Sequence, residues 1–293
     1  MNDLHKAGFV NIIGNPNVGK STLMNALVGE KLSIITSKAQ TTRHRILGIV
    51  NGPDYQIVYS DTPGIIKPYY LLQENMMQFV ASAMADADIL VYVTDVVEKQ
   101  TKNREYIEKI NLIEAPVLLV LNKIDKSSQG EVLSLMEQWH TLVPRAEIFP
   151  VSALEQFNLD SLLERILALL PYSPPWFDKD QLTDKSLRFF ASEIIREKIF
   201  LNYSKEIPYC TEVTVEEFQE SQELYGIRAI ISVMRDSQKG IIIGNKGSAL
   251  KRVGTQARLE MEDFFQKKVF LELFVKVLPQ WRENKARLRQ FGY

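Results

Sequence analysis

The chain has 293 residues, 45% hydrophobic and 24% charged, which is typical of soluble globular proteins and sufficient for two domains. Its single cysteine, Cys210, excludes an internal disulfide and a cysteine metal cluster, and its apolar runs are too short to span a bilayer. Residues 1–180 contain 16 Lys and Arg against 21 Asp and Glu, whereas residues 181–293 contain 19 against 15. We therefore expect a soluble cytoplasmic protein whose basic C-terminal part binds an anionic partner.

Residues 8–170 alternate short apolar runs with segments of helical spacing. The helical segments are Ser21–Leu27, Leu133–Leu142 and Leu159–Leu170. The apolar runs, which we predict to be buried strands, are Phe9–Ile13, Ile57–Ser60, Ile89–Thr94, Val117–Leu121 and Ile148–Val151. This alternation predicts an α/β domain over residues 1–170, with a doubly wound, mostly parallel sheet covered by helices.

A proline-rich segment, residues 171–180, separates this pattern from a different one. Its three prolines predict a stiff linker, with a second domain over residues 181–293. The periodicity there predicts a helix, two strands, two helices and a strand. The corresponding segments are Leu187–Leu201, Thr211–Gln219, Ile227–Met234, Gly240–Gly247, Ser248–Phe264 and Val269–Val277. This order predicts an α+β domain.

A glycine-rich loop follows the first predicted strand and precedes a predicted helix. Its sequence, Gly14-Asn15-Pro16-Asn17-Val18-Gly19-Lys20-Ser21 with Thr22 next, matches the full pattern G-x-x-x-x-G-K-[ST]. Glycines let backbone N–H groups point inward at phosphate oxygens, and the helix N-terminus adds partial positive charge. Lys20 can neutralise the β- and γ-phosphates, and the Ser21 hydroxyl can coordinate Mg²⁺. The loop therefore predicts a nucleoside triphosphate site.

Three shorter motifs each follow a predicted strand, at the edge where open α/β sheets bind ligands. Asp61-Thr62-Pro63-Gly64 offers a carboxylate that can hold Mg²⁺ through water and an N–H, that of Gly64, that can sense the γ-phosphate. In Asn122-Lys123-Ile124-Asp125, the carboxylate of Asp125 can accept hydrogen bonds from the N1–H and the 2-amino group of guanine, a donor pair that adenine lacks. Ser152-Ala153-Leu154 can present a backbone N–H to the guanine O6. Together with the glycine-rich loop, these motifs predict a site for GTP.

A second glycine motif, Gly244-Asn245-Lys246-Gly247, lies in the basic C-terminal part between two helical segments. Such glycines let a nucleic-acid backbone approach closely, and the following helix offers N–H groups to phosphate. The candidate RNA-binding residues are Ile242, Ile243, Gly244, Asn245, Lys246, Gly247, Lys251, Arg252 and Arg258. Either isoleucine could instead pack into the core, and the basic side chains could equally form a solvated helix face. The order of elements resembles a type II KH domain, which binds single-stranded RNA.

The N-terminal motifs resemble those of the translation-factor-related branch of the Ras-like GTPases. The resemblance implies that Gln40-Thr41-Thr42-Arg43-His44 is switch I, in which a threonine reaches Mg²⁺ in the GTP state; the sequence leaves Thr41 or Thr42 open. The residues that it implies for Mg²⁺ are Ser21, Thr42 and Asp61. Those that it implies for catalysis are Lys20, Thr41, Thr42 and Gly64.

Residue 65 departs from the Ras pattern, in which a glutamine directly after the Asp-x-x-Gly motif positions the attacking water. The residue here is Ile65, whose side chain can neither orient nor deprotonate water. We therefore expect slow intrinsic hydrolysis. In this branch of the family a K⁺ ion, held partly by the residue that corresponds to Asn17, can take the role of an arginine finger. Asn17 could equally stabilise the loop.

The whole chain resembles the bacterial GTPases in which a Ras-like domain is joined by a short linker to a type II KH domain. This resemblance implies a switch that hydrolyses GTP, binds single-stranded RNA at the 3′ end of the 16S rRNA, and acts in assembly and maturation of the 30S ribosomal subunit. It also implies a monomer that binds GTP and GDP with Mg²⁺ and associates peripherally with the inner membrane. Two alternatives are a P-loop metabolic kinase or ATPase, and a GTPase whose basic tail, Trp281–Tyr293, binds anionic lipid.

Overall fold

The computed structural model describes residues 5–98 and 102–293, which form two compact units. One unit holds the residues up to Tyr69 together with Gln73–Asp184, and the other holds Tyr70–Leu72 and Lys185–Tyr293. The main division therefore falls after Asp184, and the segment predicted as a linker groups with the first unit.

Hydrogen bonds explain why this segment belongs to the first unit. The side-chain oxygen of Gln56 accepts from the backbone N–H groups of Trp176 and Phe177 at 2.7 and 3.0 Å. Further along, the Thr183 hydroxyl donates to the Leu47 carbonyl at 2.6 Å. Proline content predicts a stiff segment, but these tertiary contacts determine what it packs against.

The first unit is built on a mostly parallel sheet. Its strands lie in the order β2-β3-β1-β4-β5-β6, in which β2 and β3 pair antiparallel and the other neighbouring strands pair parallel. Every residue of β4 and β5 is buried, as expected for central strands of a sheet covered on both faces. The predicted fold class is therefore confirmed. Up to Asp184 the strands and helices are β1 (Lys6–Gly14), α1 (Lys20–Val28), β2 (Ile46–Asn51), β3 (Tyr55–Asp61), α2 (Leu71–Ala85), β4 (Ile89–Asp95), α3 (Arg104–Leu112), β5 (Val117–Asn122), α4 (Gln129–Leu142), β6 (Glu147–Pro150) and α5 (Leu159–Leu169).

Strand β2, helix α2 and helix α3 have no counterpart among the elements predicted from the sequence. Gly48 lies in the middle of β2, and a Cβ at this position would lie 2.7 Å from Val28 Cγ2 of α1. A glycine inside a short strand weakens the strand signal and marks close approach of another element. In α2, the buried side chains Leu72, Met76 and Val80 recur every four residues, so that helical spacing was present in the sequence.

The second unit is an α+β domain with a small mixed sheet. Its strands lie in the order β7-β8-β9, with β7 antiparallel and β9 parallel to β8. In the long helix α9, Val253, Ala257 and Met261 are buried at a spacing of four residues and form its core face. The six predicted elements occur in the predicted order, and the structure adds two short helices, Ile207–Cys210 and Lys285–Gln290. The strands and helices are α6 (Leu187–Asn202), α7 (Ile207–Cys210), β7 (Glu212–Glu220), β8 (Leu224–Val233), α8 (Asp236–Ile243), α9 (Ser248–Phe265), β9 (Lys268–Val277) and α10 (Lys285–Gln290).

The C-terminal segment packs against the rest of this unit and does not extend into solvent. Trp281 is fully buried and donates its indole N–H to the Cys210 carbonyl at 3.1 Å. Leu288 of α10 is also fully buried, and the Tyr293 hydroxyl donates to Glu212 at 2.9 Å. Among the described residues, no helix is both long enough and apolar enough to span a membrane.

Candidate functional site

The glycine-rich loop connects β1 to α1 and has an unusual backbone. Gly14, Asn17 and Gly19 all have positive φ angles, of 150°, 67° and 98°. Helix α1 begins at Lys20 without a side-chain cap, so that its first N–H groups can bind an anion. The nine predicted residues run from the end of β1 through this loop into the first turn of α1, namely Gly14, Asn15, Pro16, Asn17, Val18, Gly19, Lys20, Ser21 and Thr22.

The lysine of the loop is held in place, and its pKa is lower than that of a free lysine. Lys20 is 6% exposed, and its ammonium donates to the Asn15 carbonyl at 2.9 Å. Burial lowers the pKa of Lys20 to about 8, although the carboxylates of Asp61 and Glu98 oppose the change. A bound phosphate would favour the charged form of this lysine.

Two hydroxyl groups and one carboxylate lie close together beside the loop. The Ser21 hydroxyl donates to Asp61 Oδ2 at 2.6 Å, and Thr42 Oγ1 lies 3.0 Å from Ser21 Oγ and 3.2 Å from Asp61 Oδ2. Burial raises the pKa of Asp61, against the charge of Lys20 and the hydroxyl hydrogen bonds. Among the described residues, the buried Asp61 Oδ1 has no hydrogen-bond partner. This set of oxygens fits Mg²⁺, which prefers carboxylate and hydroxyl ligands.

The structure distinguishes the two threonines of the predicted switch I. Thr42 is the one that reaches the oxygen cluster, whereas the Thr41 hydroxyl lies 2.6 Å from Thr36 Oγ1 and donates to the Lys38 carbonyl at 2.7 Å. Thr41 therefore contacts its own loop. The choice depends on side-chain direction, which the adjacent threonines of the motif could not show.

The Asp61-Thr62-Pro63-Gly64 motif is packed directly against the glycine-rich loop. Thr62 donates its hydroxyl to the Ile12 carbonyl at 2.8 Å, and the Ile65 N–H donates to the Gly14 carbonyl at 3.0 Å. A Cβ on Gly64 would lie 2.7 Å from the backbone nitrogen of Pro16. Because any larger residue would clash with Pro16, only glycine lets the backbone at position 64 lie this close to the loop that would hold the phosphates.

Two polar loops at the ends of β5 and β6 form the predicted base site. Asn122 joins them to the glycine-rich loop, because its amide donates to the Val18 carbonyl at 2.9 Å and accepts from the Ala153 N–H at 3.0 Å. The Ser152 hydroxyl donates to Asp125 Oδ1 at 2.6 Å. Lys123 donates to the Asn17 carbonyl and to Asp95. The structure thus brings the predicted base-site residues together, with the Leu154 side chain exposed.

Asn17, the residue proposed for K⁺, has its amide directed at the neighbouring loop. Its side-chain N–H donates to the Ser37 carbonyl at 3.1 Å. This contact corresponds to the loop-stabilising role that the sequence analysis leaves open. The role of K⁺ stays a prediction.

The second glycine motif lies between α8 and α9 with a strongly turned backbone. Gly244, Lys246 and Gly247 have φ angles of 72°, 47° and 78°, and the side chains of Asn245 and Lys246 are exposed. Ile242 is fully buried in the core of the second unit, so that the core alternative applies to this residue. Of the two isoleucines, only Ile243 has an accessible side chain.

A groove of about 360 Å³ runs between α9 and β9, beginning at this motif. Lys251 and Arg258 line it together, whereas Arg252 lies outside its lining. Arg258 also forms an ion pair with Glu262 at 2.9 Å. The apolar side of the groove was not predicted from the sequence, although Leu271 and Leu273, two residues apart on β9, share one face of that strand. The groove is lined by Gly247, Leu250, Lys251, Gly254, Thr255, Arg258, Leu271 and Leu273.

The fold and these motifs define a P-loop GTPase unit followed by a KH domain. Family comparison supports this class, since residues 9–123 match the family described as 50S ribosome-binding GTPase and residues 206–282 match the KH domain. The chain is 45% identical to GTPase Era of Geotalea daltonii over 98% of this chain and 97% of that protein. It is 44% identical to a chloroplastic GTPase ERA-like protein of Oryza sativa subsp. japonica, over 99% of this chain and 70% of the relative. The chain therefore belongs to the Era family of GTPases, and it hydrolyses GTP.

Solved structures agree with this assignment over the full chain. A crystal structure of Era in complex with MgGDPNP and nucleotides 1506–1542 of 16S ribosomal RNA matches with a TM-score of 0.94 at 41% identity, covering 99% of both chains. A variant of Aquifex aeolicus Era bound to GDP·AlF4⁻ matches with the same TM-score and identity, covering 98% of this chain and 99% of that one.

Proposed function

We propose that this protein is a GTP-controlled RNA-binding switch that recognises the 3′ end of 16S rRNA and acts in assembly of the 30S ribosomal subunit. The observation that carries the proposal is the contact of Thr42, in switch I, with Ser21 and Asp61 at 3.0 and 3.2 Å. A γ-phosphate bound beside these three side chains can order switch I, and loss of that phosphate on hydrolysis can release it. The RNA bound in the similar Era crystal structure supports the choice of RNA.

The nucleotide is bound and oriented by this chain's own groups. Lys20 and the N–H groups of the glycine-rich loop hold the phosphates, Asp125 reads the guanine edge, and Asn122 fixes the loop around the base. Ser21, Thr42 and Asp61 would hold Mg²⁺. When bound, this ion supplies positive charge beside the β- and γ-phosphates, as the MgGDPNP of the related structure supports.

Hydrolysis is proposed to be slow in the isolated protein. Ile65 has an apolar side chain that is 1% exposed, so that it provides no group to orient the attacking water. Of this chain's own groups, Lys20 and the N–H groups of the glycine-rich loop are the ones proposed to stabilise the charge that develops on the phosphates in the transition state.

The RNA strand is proposed to enter the groove between α9 and β9. The glycine motif lets the phosphate backbone approach, Lys251 neutralises phosphate, and Leu271 and Leu273 contact the bases. Association with the 30S subunit would follow from this contact. Peripheral membrane association, the K⁺ ion and the monomeric state stay predictions of the family resemblance.

Two adjacent cations of α9 provide a direct test of the groove. Lys251 lines the groove and Arg252 does not, yet both are exposed on the same helix. Lys251→Ala is expected to weaken binding of a single-stranded 16S 3′-end RNA by about three- to tenfold and to reduce its salt dependence, because one phosphate contact is lost. Arg252→Ala should change the affinity less than about twofold. Fluorescence anisotropy at several salt concentrations measures both, and equal losses would contradict the groove assignment.

A further inference from the structure

A hydrogen-bond network of two side-chain amides and a carboxylate runs along one side of the glycine-rich loop. Glu98 accepts from the Asn15 amide N–H at 2.5 Å and from the Thr94 hydroxyl at 3.1 Å. On its other side, Asn15 accepts a hydrogen bond from Asn103. Asn103 also donates to the Ile65 carbonyl at 3.1 Å. This network therefore links the end of β4, the glycine-rich loop, the start of α3 and the residue after Gly64.

The chemistry of these groups fixes which of them donates and which accepts each hydrogen bond. Because the Ile65 backbone carbonyl can only accept, Asn103 turns its amide N–H₂ group toward it and toward the Asn15 side-chain oxygen, which leaves the Asn15 N–H facing Glu98. Asn15 is 1% exposed, so that water cannot readily replace these partners. Asn103 is thus placed to donate, and Ile65 to accept.

Both backbone groups of Ile65 are held in this arrangement. Its N–H donates to the Gly14 carbonyl at 3.0 Å, and its carbonyl accepts from Asn103 at 3.1 Å. The backbone of Gly64, directly before it, is therefore restrained relative to the phosphate loop. This restraint matters because the Ile65 side chain offers no polar group of its own.

We propose that Asn103 is a positioning residue for GTP hydrolysis, acting through Asn15 and the Ile65 carbonyl to hold the Gly64 backbone where it faces the γ-phosphate. The inference rests on the nucleotide site proposed above. In place of a polar side chain at residue 65, backbone restraint provides part of the alignment that hydrolysis requires. Glu98 supports Asn103 by orienting Asn15.

The left-handed conformation of Asn103 allows two substitutions that spare the backbone. Its φ angle is 57°, a region that aspartate tolerates and glycine favours. Asn103→Asp keeps the side-chain shape but removes the N–H donor and places a carboxylate beside two acceptors. Asn103→Gly removes the side chain without that repulsion. The matched control is Asn111→Asp at the other end of α3, where the amide also donates to a backbone carbonyl, that of Leu142, at 2.9 Å.

The experiment separates positioning from binding and from folding. Steady-state GTP turnover gives kcat and KM, fluorescent GDP titration gives affinity, and thermal unfolding sets an assay temperature at which every variant is folded. We expect both Asn103 variants to lower kcat about tenfold, with GDP affinity within twofold of the wild type and Asn111→Asp unchanged in kcat.

Two results would overturn the proposal. Turnover within twofold of the wild type in both variants would show that Asn103 serves only the stability of α3. A loss of GDP affinity as large as the loss of kcat would show that the residue shapes the phosphate loop and does not position Gly64. Wild-type protein that fails to prefer guanine nucleotides would instead refute the nucleotide site on which the inference rests.

Discussion

Asp125→Asn is expected to lower the affinity for GTP by about 10³-fold or more, because a site built for paired hydrogen bonds strongly rejects a base that leaves them unmade. The Ser152 hydroxyl donates to Asp125 Oδ1 at 2.6 Å, and an asparagine can keep this bond through its oxygen. Its N–H₂ group then faces the base, opposite the N1–H and 2-amino donors of guanine. Xanthine has an oxygen at position 2, so that XTP should bind this variant better than GTP does.

Competition of GTP, XTP and ATP against a fluorescent nucleotide measures this change in preference. Asp54→Asn, in the exposed turn between β2 and β3, is the matched control, since it makes the same chemical change away from the site. GTP affinity that survives Asp125→Asn, or a wild-type preference for ATP, would contradict the assignment of the base site.

Gly19→Ala is expected to abolish nucleotide binding at micromolar concentrations and to lower the free energy of unfolding of the first unit by about 2–4 kcal/mol. Gly19 has a φ angle of 98°, and a Cβ there would lie 2.2 Å from the amide nitrogen of Asn122. That amide bridges the Val18 carbonyl and the Ala153 N–H. The methyl group would therefore separate the glycine-rich loop from the two loops, after β5 and after β6, that form the predicted base site.

Gly29→Ala at the other end of α1 is the matched control for this prediction. Gly29 also has a positive φ angle, 82°, but a Cβ there meets no atom within 4 Å. The control bears only the backbone cost, about 1 kcal/mol, and should keep wild-type GTP affinity. Calorimetric titration and chemical denaturation measure both quantities. Equal effects of the two substitutions would show that left-handed strain, and not the contact with Asn122, controls the loop.

Much of the nucleotide site could be predicted from the sequence, because its motifs depend on short spacings and each follows a strand of a parallel sheet. The phosphate loop, Gly64 and the Asn122 to Asp125 motif all lie where strand–helix alternation places them. The glycine motif of the second unit follows the same logic, since two glycines between helices are a local signal.

Features that depend on side-chain direction or tertiary contact could not be predicted. Thr41 and Thr42 are chemically identical neighbours, and only the folded loop brings Thr42 to Ser21. Ile242 and Ile243 differ only in which face of a short helix they occupy. Asn103 is an ordinary polar residue in the sequence, and its hydrogen bonds to Asn15 and Ile65 arise only when the fold brings the start of α3 beside the glycine-rich loop.

Control of RNA binding by the nucleotide state is what distinguishes a switch from two tethered modules. The most direct measurement is the affinity of the full chain for a single-stranded 16S 3′-end RNA, with saturating GDPNP and Mg²⁺ or with saturating GDP and Mg²⁺. We expect binding about fivefold or more tighter in the GDPNP state, and Lys251→Ala should weaken binding in both states. Equal affinity in the two nucleotide states would show that the two units are tethered modules and that the protein is not a GTP-controlled switch.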